Sequence, residues 1–287
     1  MTAFNARYRQ GRITATGSLV YTNVTEHVKI GDAPADFQRL APSFTVSLQP
    51  WQEQLLFLRL MYKSTFRMPT FNDLYYYRLG NRSLRPEKAN EYNMGITWSR
   101  SFSSFLNYLS VTVDGYYNDV TDKIVAFPTT YAWKMANYGK VHVTGMDATL
   151  AAAASLGKNT VLVVSGGYTW QKAIDLTDAT SKSYKDQLPY TPKHSGNVSA
   201  VLEMPWVNVG YSIVGVSERY SMSQNIPENR IDGYMEHTVS LSRNFSFRHC
   251  KLRLQAEIIN LTDTQYDVIK YYPMPGRSWR LTGTIEF

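Results

Sequence analysis

STFRMPTFNDLYYYRLGNRSLRPEKANEYNMGITW, Ser64 to Trp98, reads as strand, long loop, strand. The apolar run ending in Phe66-Arg67-Met68-Pro69 stops where proline removes a ladder donor. About twenty polar and aromatic residues follow, far more than a hairpin turn needs. From Glu91 the alternation returns. Tyr92, Met94, Ile96 and Trp98 fall on one face and Glu91, Asn93, Gly95 and Thr97 on the other, the period of a strand with apolar surroundings on one side and water on the other.

Working outward in both directions, the same alternation predicts thirteen strands, at 3–9, 12–27, 37–49, 54–66, 87–100, 105–120, 139–154, 160–172, 193–204, 206–217, 231–245, 250–261 and 277–287. Most outrun the typical globular strand of about five or six residues. The predicted connections are tight at Gln10-Gly11, near Trp51, at Ser103, at 156–158, at Pro205 and at 246–249, and long at every junction between these. A soluble sandwich has no reason to sort its loops by rim. A transmembrane barrel does so by rule. Thr14, Ser18, Thr45, Ser47, Arg59, Lys63, Arg253, Gln255 and Glu257 then fall on the hydrated inner face. Two aromatic girdles are expected, with Trp51, Phe102, Phe105, Trp206, Phe245, Phe247 and Phe287 at the short-turn rim and Tyr117, Tyr138, Trp170, Tyr190, Tyr266 and Trp279 at the other.

Phe66-Arg67-x-Pro69, Leu74, Gly80-Asn81, Leu84-x-Pro86-Glu87 and Gly95 together resemble the barrel signature of TonB-dependent outer-membrane receptors. Asn93 stands where that family usually has a glutamate, with Glu91 two positions earlier. Asn260-Leu261-Thr262, Tyr266, Pro275-Gly276-Arg277 and the last strand resemble the family's ending. The resemblance implies an all-β fold, an antiparallel transmembrane β-barrel segment of about 13 strands from a roughly 22-stranded barrel, with the plug domain absent. Residues 1–287 are expected to be one domain, the C-terminal part of such a barrel. Met1 to Gln10 hold no apolar signal core, so signal peptide, plug and first barrel strands are expected to lie outside the chain.

The resemblance further implies a Gram-negative outer-membrane receptor that imports a scarce bulky nutrient such as cobalamin or a ferric siderophore. Its implied partners are the TonB-ExbB-ExbD system acting through the plug, the barrel assembly machinery, outer-membrane lipid and lipopolysaccharide, and a small-molecule nutrient chelate. Trp279, Leu281, Ile285 and the terminal Phe287 resemble the signal read by the assembly machinery. Ligand contact is expected at three aromatic loops: Tyr75, Tyr76, Tyr77 and Arg78; Tyr131 and Trp133; Tyr271 and Tyr272. Their rings offer flat apolar area at small entropy cost, while lipopolysaccharide contact or packing between loops is the alternative reading.

Composition limits the other classes. No apolar run reaches the roughly 18 residues of a membrane-spanning helix, and the net charge of +7 is spread over 30 Lys and Arg without a basic run, so no nucleic-acid surface is expected. Cys250 is alone, which rules out an internal disulfide and a cysteine metal cluster. His27, His142, His194, His237 and His249 lack metal-site spacing, and no nucleophile elbow or phosphate loop is present, so neither metal, cofactor nor enzymatic chemistry is expected. A passive porin-like barrel and a secreted β-rich binding module or carbohydrate enzyme are the rival readings.

Overall fold

The computed structural model describes every residue except Glu26, Val28, 30–35 and 129–132. The strands are β1 (Thr2–Gln10), β2 (Ile13–Val24), β3 (Phe37–Leu48), β4 (Leu55–Arg67), β5 (Glu87–Ser101), β6 (Leu106–Pro128), β7 (Trp133–Gly157), β8 (Thr160–Asp175), β9 (His194–Glu203) and β10 (Asn208–Val216). The short β11 (Arg219–Tyr220) and β12 (Arg230–Ile231), then β13 (Tyr234–Ser246), β14 (Lys251–Ile259), the short β15 (Asp267–Ile269) and β16 (Tyr272–Pro273), and β17 (Ser278–Glu286) complete them. Among the described residues one α-helix, α1 (Phe71–Tyr75), interrupts the series after β4, and a single 3-10 turn, Pro227–Asn229, precedes β12.

Thirteen of these strands form a single antiparallel sheet in chain order, β1 to β10 followed by β13, β14 and β17. Neighbours in sequence are neighbours in space, the meander of an up-and-down barrel wall. The tight connections lie at one rim. Gly11 makes the β1–β2 turn at φ +53°, a conformation that costs glycine nothing and other residues a steric clash.

Two findings correct the sequence reading. The segment 121–138, expected to be loop, is mostly strand: β6 and β7 run 23 and 25 residues and stay paired from Leu106 with Ala154 to Pro128 with Trp133. A barrel strand needs only about 9 to 11 residues to cross a bilayer, so this hairpin stands well clear of the rim. Alternation weakened at Thr121-Asp122-Lys123 because the protruding part has no lipid face to keep apolar. The second correction is that β13 begins at Tyr234 and not at Ile231, which pairs with Arg219 in the separate β11–β12 ribbon.

The two faces of the sheet differ as the alternation requires. In one register row Leu58, Ile96 and Val113 stand side by side, and in another Leu60, Met94 and Gly115. Met94 is 67% exposed and Leu60 56%, which in water would be an unsheltered apolar wall. The opposite face carries Arg59, Thr97, Thr112 and Asp114, linked to one another by hydrogen bonds of 2.6 to 3.2 Å. Among the described residues the strands therefore enclose no continuous apolar interior of the kind the soluble rivals need. Two small apolar clusters, Ala89, Val120, Val141, Ala173 and Leu188 in one and Leu74, Leu84, Ile124 and Met135 in the other, lie instead toward the long-loop rim.

Candidate functional site: the inner face and the loop cap

Two glycines organise the polar face. Arg59, Gly95 and Asp114 share one register row, and the missing side chain at the centre lets guanidinium and carboxylate meet across β5 at 3.1 Å. A Cβ on Gly95 would lie 2.0 Å from Asp114 Oδ1 and 3.0 Å from Arg59. The device recurs at Gly145, where Tyr116 lies over the glycine to donate to Gln171 at 3.2 Å. Thr169 donates to Asp147 at 2.7 Å beside it. At the far edge Arg280 donates to Glu257 at 2.5 Å.

Above this face the loop from Pro69 to Pro86 folds on its own small core. Thr70 caps α1 by accepting from the Asp73 amide at 3.2 Å, while the Asp73 carboxylate accepts from the Thr70 amide at 2.8 Å and from Arg67 at 2.7 Å. Burial alone would raise the Asp73 carboxyl, but the Thr70 amide, then the Arg67 guanidinium, outweigh it and hold its pKa below the ordinary 3.8. Leu74 and Leu84 are buried against Ile124 and Met135 of the protruding hairpin. Gly80 must be glycine, because a Cβ there would sit 2.7 Å from the Leu74 carbonyl oxygen. Asn81 donates to the Met135 carbonyl at 3.0 Å, and Glu87 accepts from the Ile124 amide at 3.0 Å.

The remaining loops are joined sideways into a cap. Trp133 lies 5.9 Å from the Tyr190 ring, the Tyr190 amide donates to the Tyr220 carbonyl at 2.7 Å, and Tyr138 shares a 2.7 Å hydrogen bond with Ser223. Arg219 donates to the Asp267 and Val268 carbonyls at 2.5 and 3.1 Å. It is 4% exposed, stacks on Tyr234 at 5.8 Å, and has no carboxylate within salt-bridge range among the described residues. Tyr266 stacks on Tyr234 at 3.9 Å and donates to Glu236 at 2.6 Å. Burial, and then the Glu236 carboxylate, raise the Tyr266 phenol and keep it neutral.

The structure divides the predicted ligand-contact residues. Tyr75 packs against the Leu74 cluster, and its ring stands 5.0 Å from Phe71. Tyr76 and Tyr77 point outward, with Arg78 over the Tyr77 ring at 5.2 Å. Trp133 opens β7 and is partly covered by Tyr190; Tyr131 lies outside the described residues. Tyr271 and Tyr272 are exposed, Tyr271 lining with Arg230, Asp232, Tyr266 and Lys270 a cleft of about 340 Å³. Tyr75–Arg78 and Tyr271–Tyr272 stand at opposite ends of the chain of loop contacts. Tyr138, Tyr190 and Tyr266 belong to the cap and not to the outer girdle expected for them. Arg219 carries no sequence signal beyond its place in a long loop, and Tyr190 and Tyr234 read from sequence only as a rim aromatic and a strand residue, so the reading from sequence missed their role in tying loops together. No group of three or more His, Cys, Asp or Glu converges as a metal site among the described residues.

A polar-lined antiparallel wall with one rim capped by interlocked loops matches known proteins. The profile of the family described as TonB dependent receptor-like, beta-barrel covers residues 4–261. The chain belongs to this family. Vitamin B12 transporter BtuB of Photobacterium profundum is 26% identical over 230 residues, and that of Vibrio vulnificus 24% over 233; each match covers 77% of this chain. These matches span 34% and 33% of the two transporters, so the chain corresponds to about a third of its curated relatives' length. The unliganded ferric citrate transporter FecA superposes on 98% of this chain with a TM-score of 0.74 at 15% identity, covering 44% of FecA. The ferric-catecholate import receptor Fiu of E. coli K12 superposes on 98% with a TM-score of 0.69 at 18% identity, covering 44% of Fiu. These two structures establish the TonB-dependent receptor barrel as the fold of this chain.

Proposed function

We propose that the chain is the C-terminal barrel portion of a Gram-negative outer-membrane receptor that imports a bulky, metal-containing nutrient, a cobalamin or a ferric siderophore, using TonB-ExbB-ExbD as its energy source. The observation that carries this reading is the one-sided cap: every long connection among the described residues gathers at one rim over a polar inner face, where a passive pore would keep the entrance clear. The vitamin B12 transporters and iron-chelate receptors similar to this chain support the nutrient class. The exposed Tyr76, Tyr77, Arg78 and Tyr271, with the half-buried Lys270, serve as the first contacts. Tyr75 and Trp133 hold loops in place. The chain's part is recognition and enclosure, with no bond made or broken in the nutrient.

The test is uptake. In cells whose only receptor for the nutrient is the complete gene product, accumulation of labelled cyanocobalamin or of a ferric siderophore should require a functional TonB. Alanine at either Tyr77 or Tyr271 should weaken surface binding about thirtyfold, since a buried ring commonly carries about 2 kcal/mol, and leave barrel heat resistance unchanged. Uptake that is indifferent to TonB would replace this reading with the passive pore.

A further inference from the structure

The apolar face carries a notch between β8 and β13. Gly196 and Gly215 stand opposite each other on β9 and β10, with Tyr168 and Met235 flanking them in the same register row. Two side chains are thus missing from the middle of a continuous apolar surface, leaving a depression of about 430 Å³. Val198 and Ile213 close its lower end, and His194 and Ser217 its upper end. The lower end is hydrocarbon and the upper end is polar. Tyr168 Oη lies 2.7 Å from His194 Nδ1, so with the tyrosine donating, the imidazole proton sits on Nε2 and remains free to donate. Lys172 follows Tyr168 and Trp170 on the same face of β8, one step nearer the long-loop rim. No carboxylate lines the notch.

The Tyr–His pairing repeats. Tyr211 Oη meets His237 Nδ1 at 2.6 Å on the next hairpin, with the histidine again opposite the residue two beyond the tyrosine. Tyr117 and His142 form a third such pair at 3.2 Å, but there Asp119 lies 3.3 Å from His142 Nε2 and takes the place an anion would occupy. Of the three, the Tyr168–His194 pair combines free donors, a nearby cation and a hydrocarbon slot directly beneath.

The geometry points to a lipid site: the notch seats one acyl chain of a lipopolysaccharide molecule of the outer leaflet, with its headgroup phosphate on His194 and Lys172. This rests on the outer-membrane reading above, which places the long-loop rim in that leaflet. Shape argues for a chain, because a slot one side chain deep accepts a methylene run and leaves no room for a folded domain. Charge argues for phosphate, since imidazole and ammonium donors gather at the upper end without a competing acid.

The experiment uses the complete receptor extracted from its own outer membrane in mild detergent, with native mass spectrometry counting bound diphosphorylated lipid A and its dephosphorylated form. Wild-type receptor should hold the phosphorylated form about tenfold more tightly, the worth of roughly one charge-assisted hydrogen bond. Gly215→Leu, whose added Cβ meets nothing nearer than Met235 Cγ at 3.8 Å, should lose one bound lipid and keep heat-resistant migration. His194→Ala combined with Lys172→Ala should keep the lipid but erase the preference for phosphate, and His142→Ala should change neither. A heat-resistant Gly215→Leu receptor with undiminished lipid A would overturn the site, and so would a wild-type dimer that this variant dissociates, which would give the notch to a second copy. Absence of the wild-type receptor from the outer-membrane fraction would overturn the membrane reading along with it.

Discussion

At the scale of single residues, the chain repeatedly spends a glycine to let two others meet. Gly145→Ala would place a methyl 2.3 Å from the Tyr116 ring, forcing the ring off Gln171. The expected result is a barrel that still inserts but migrates as a heat-labile species at lower temperature, by about 1 to 3 kcal/mol for an overpacked contact. Retained heat resistance would mean that the Tyr116 contact contributes nothing. Asp73 offers a pH test. Its folded-state pKa lies below the ordinary 3.8, so its contribution to the α1 cap is complete above that value and lost as pH falls through the folded-state value. The protection of the amides in 71–86, taken relative to the intrinsic exchange rate at each pH, should therefore be flat from about pH 8 to 5 and fall below about pH 4. Asp73→Asn should show the reduced protection throughout, and Thr70→Ala should cost about 1 kcal/mol at every pH. Equal exchange in Asp73→Asn and wild type at neutral pH would remove the cap from the account.

At the scale of elements, the strands were legible because lipid and water impose opposite demands on alternate residues. Lysine at Ile96, on the outer face beside Leu58 and Val113, should destabilise the folded barrel by roughly 2 to 4 kcal/mol in a urea titration, and lysine at Thr97 by far less. Equal costs on the two faces would contradict the assignment of sides. In β17 Trp279, Leu281 and Ile285 all point outward and are 76, 81 and 56% exposed. Deleting Phe287 from the complete receptor should lower the amount assembled in the outer membrane without changing synthesis, as expected if this edge is what the assembly machinery engages. Unchanged surface labelling of the exposed Tyr271 loop would refute that. The protruding half of β6 and β7 was not legible, since a hairpin outside the bilayer keeps its hydrogen bonds without keeping the alternation.

At the scale of the whole molecule, the sheet has two edges. β1 and β17 are each paired on one side only, and nine residues on each leave about half their backbone groups without a partner in the sheet. In hydrocarbon each such group costs several kcal/mol, more in total than a domain's whole net stability. Residues 1–287 expressed alone and reconstituted in lipid should therefore give no heat-resistant monomer. A compact monomer that moves nutrient without further barrel strands or plug would overturn both this closure argument and the proposed receptor function.

What the sequence alone determined is whatever a local periodicity or a nearby constraint can encode: thirteen strands, their sidedness, the sorting of loops by rim, and the signature loop from Phe66 to Gly95. Even there it named residues without their reasons. Leu74 and Leu84 proved to be the core of a folded loop, Gly80 a forced close approach, and Gly95 the gap through which Arg59 reaches Asp114. Only the tertiary structure decided which loop aromatics are exposed and which are packed, that Arg219 ties two loops together, and that Gly196 and Gly215 fall opposite each other. Register between strands sets all three, and register depends on contacts between residues tens of positions apart, which no alternation along a single strand contains.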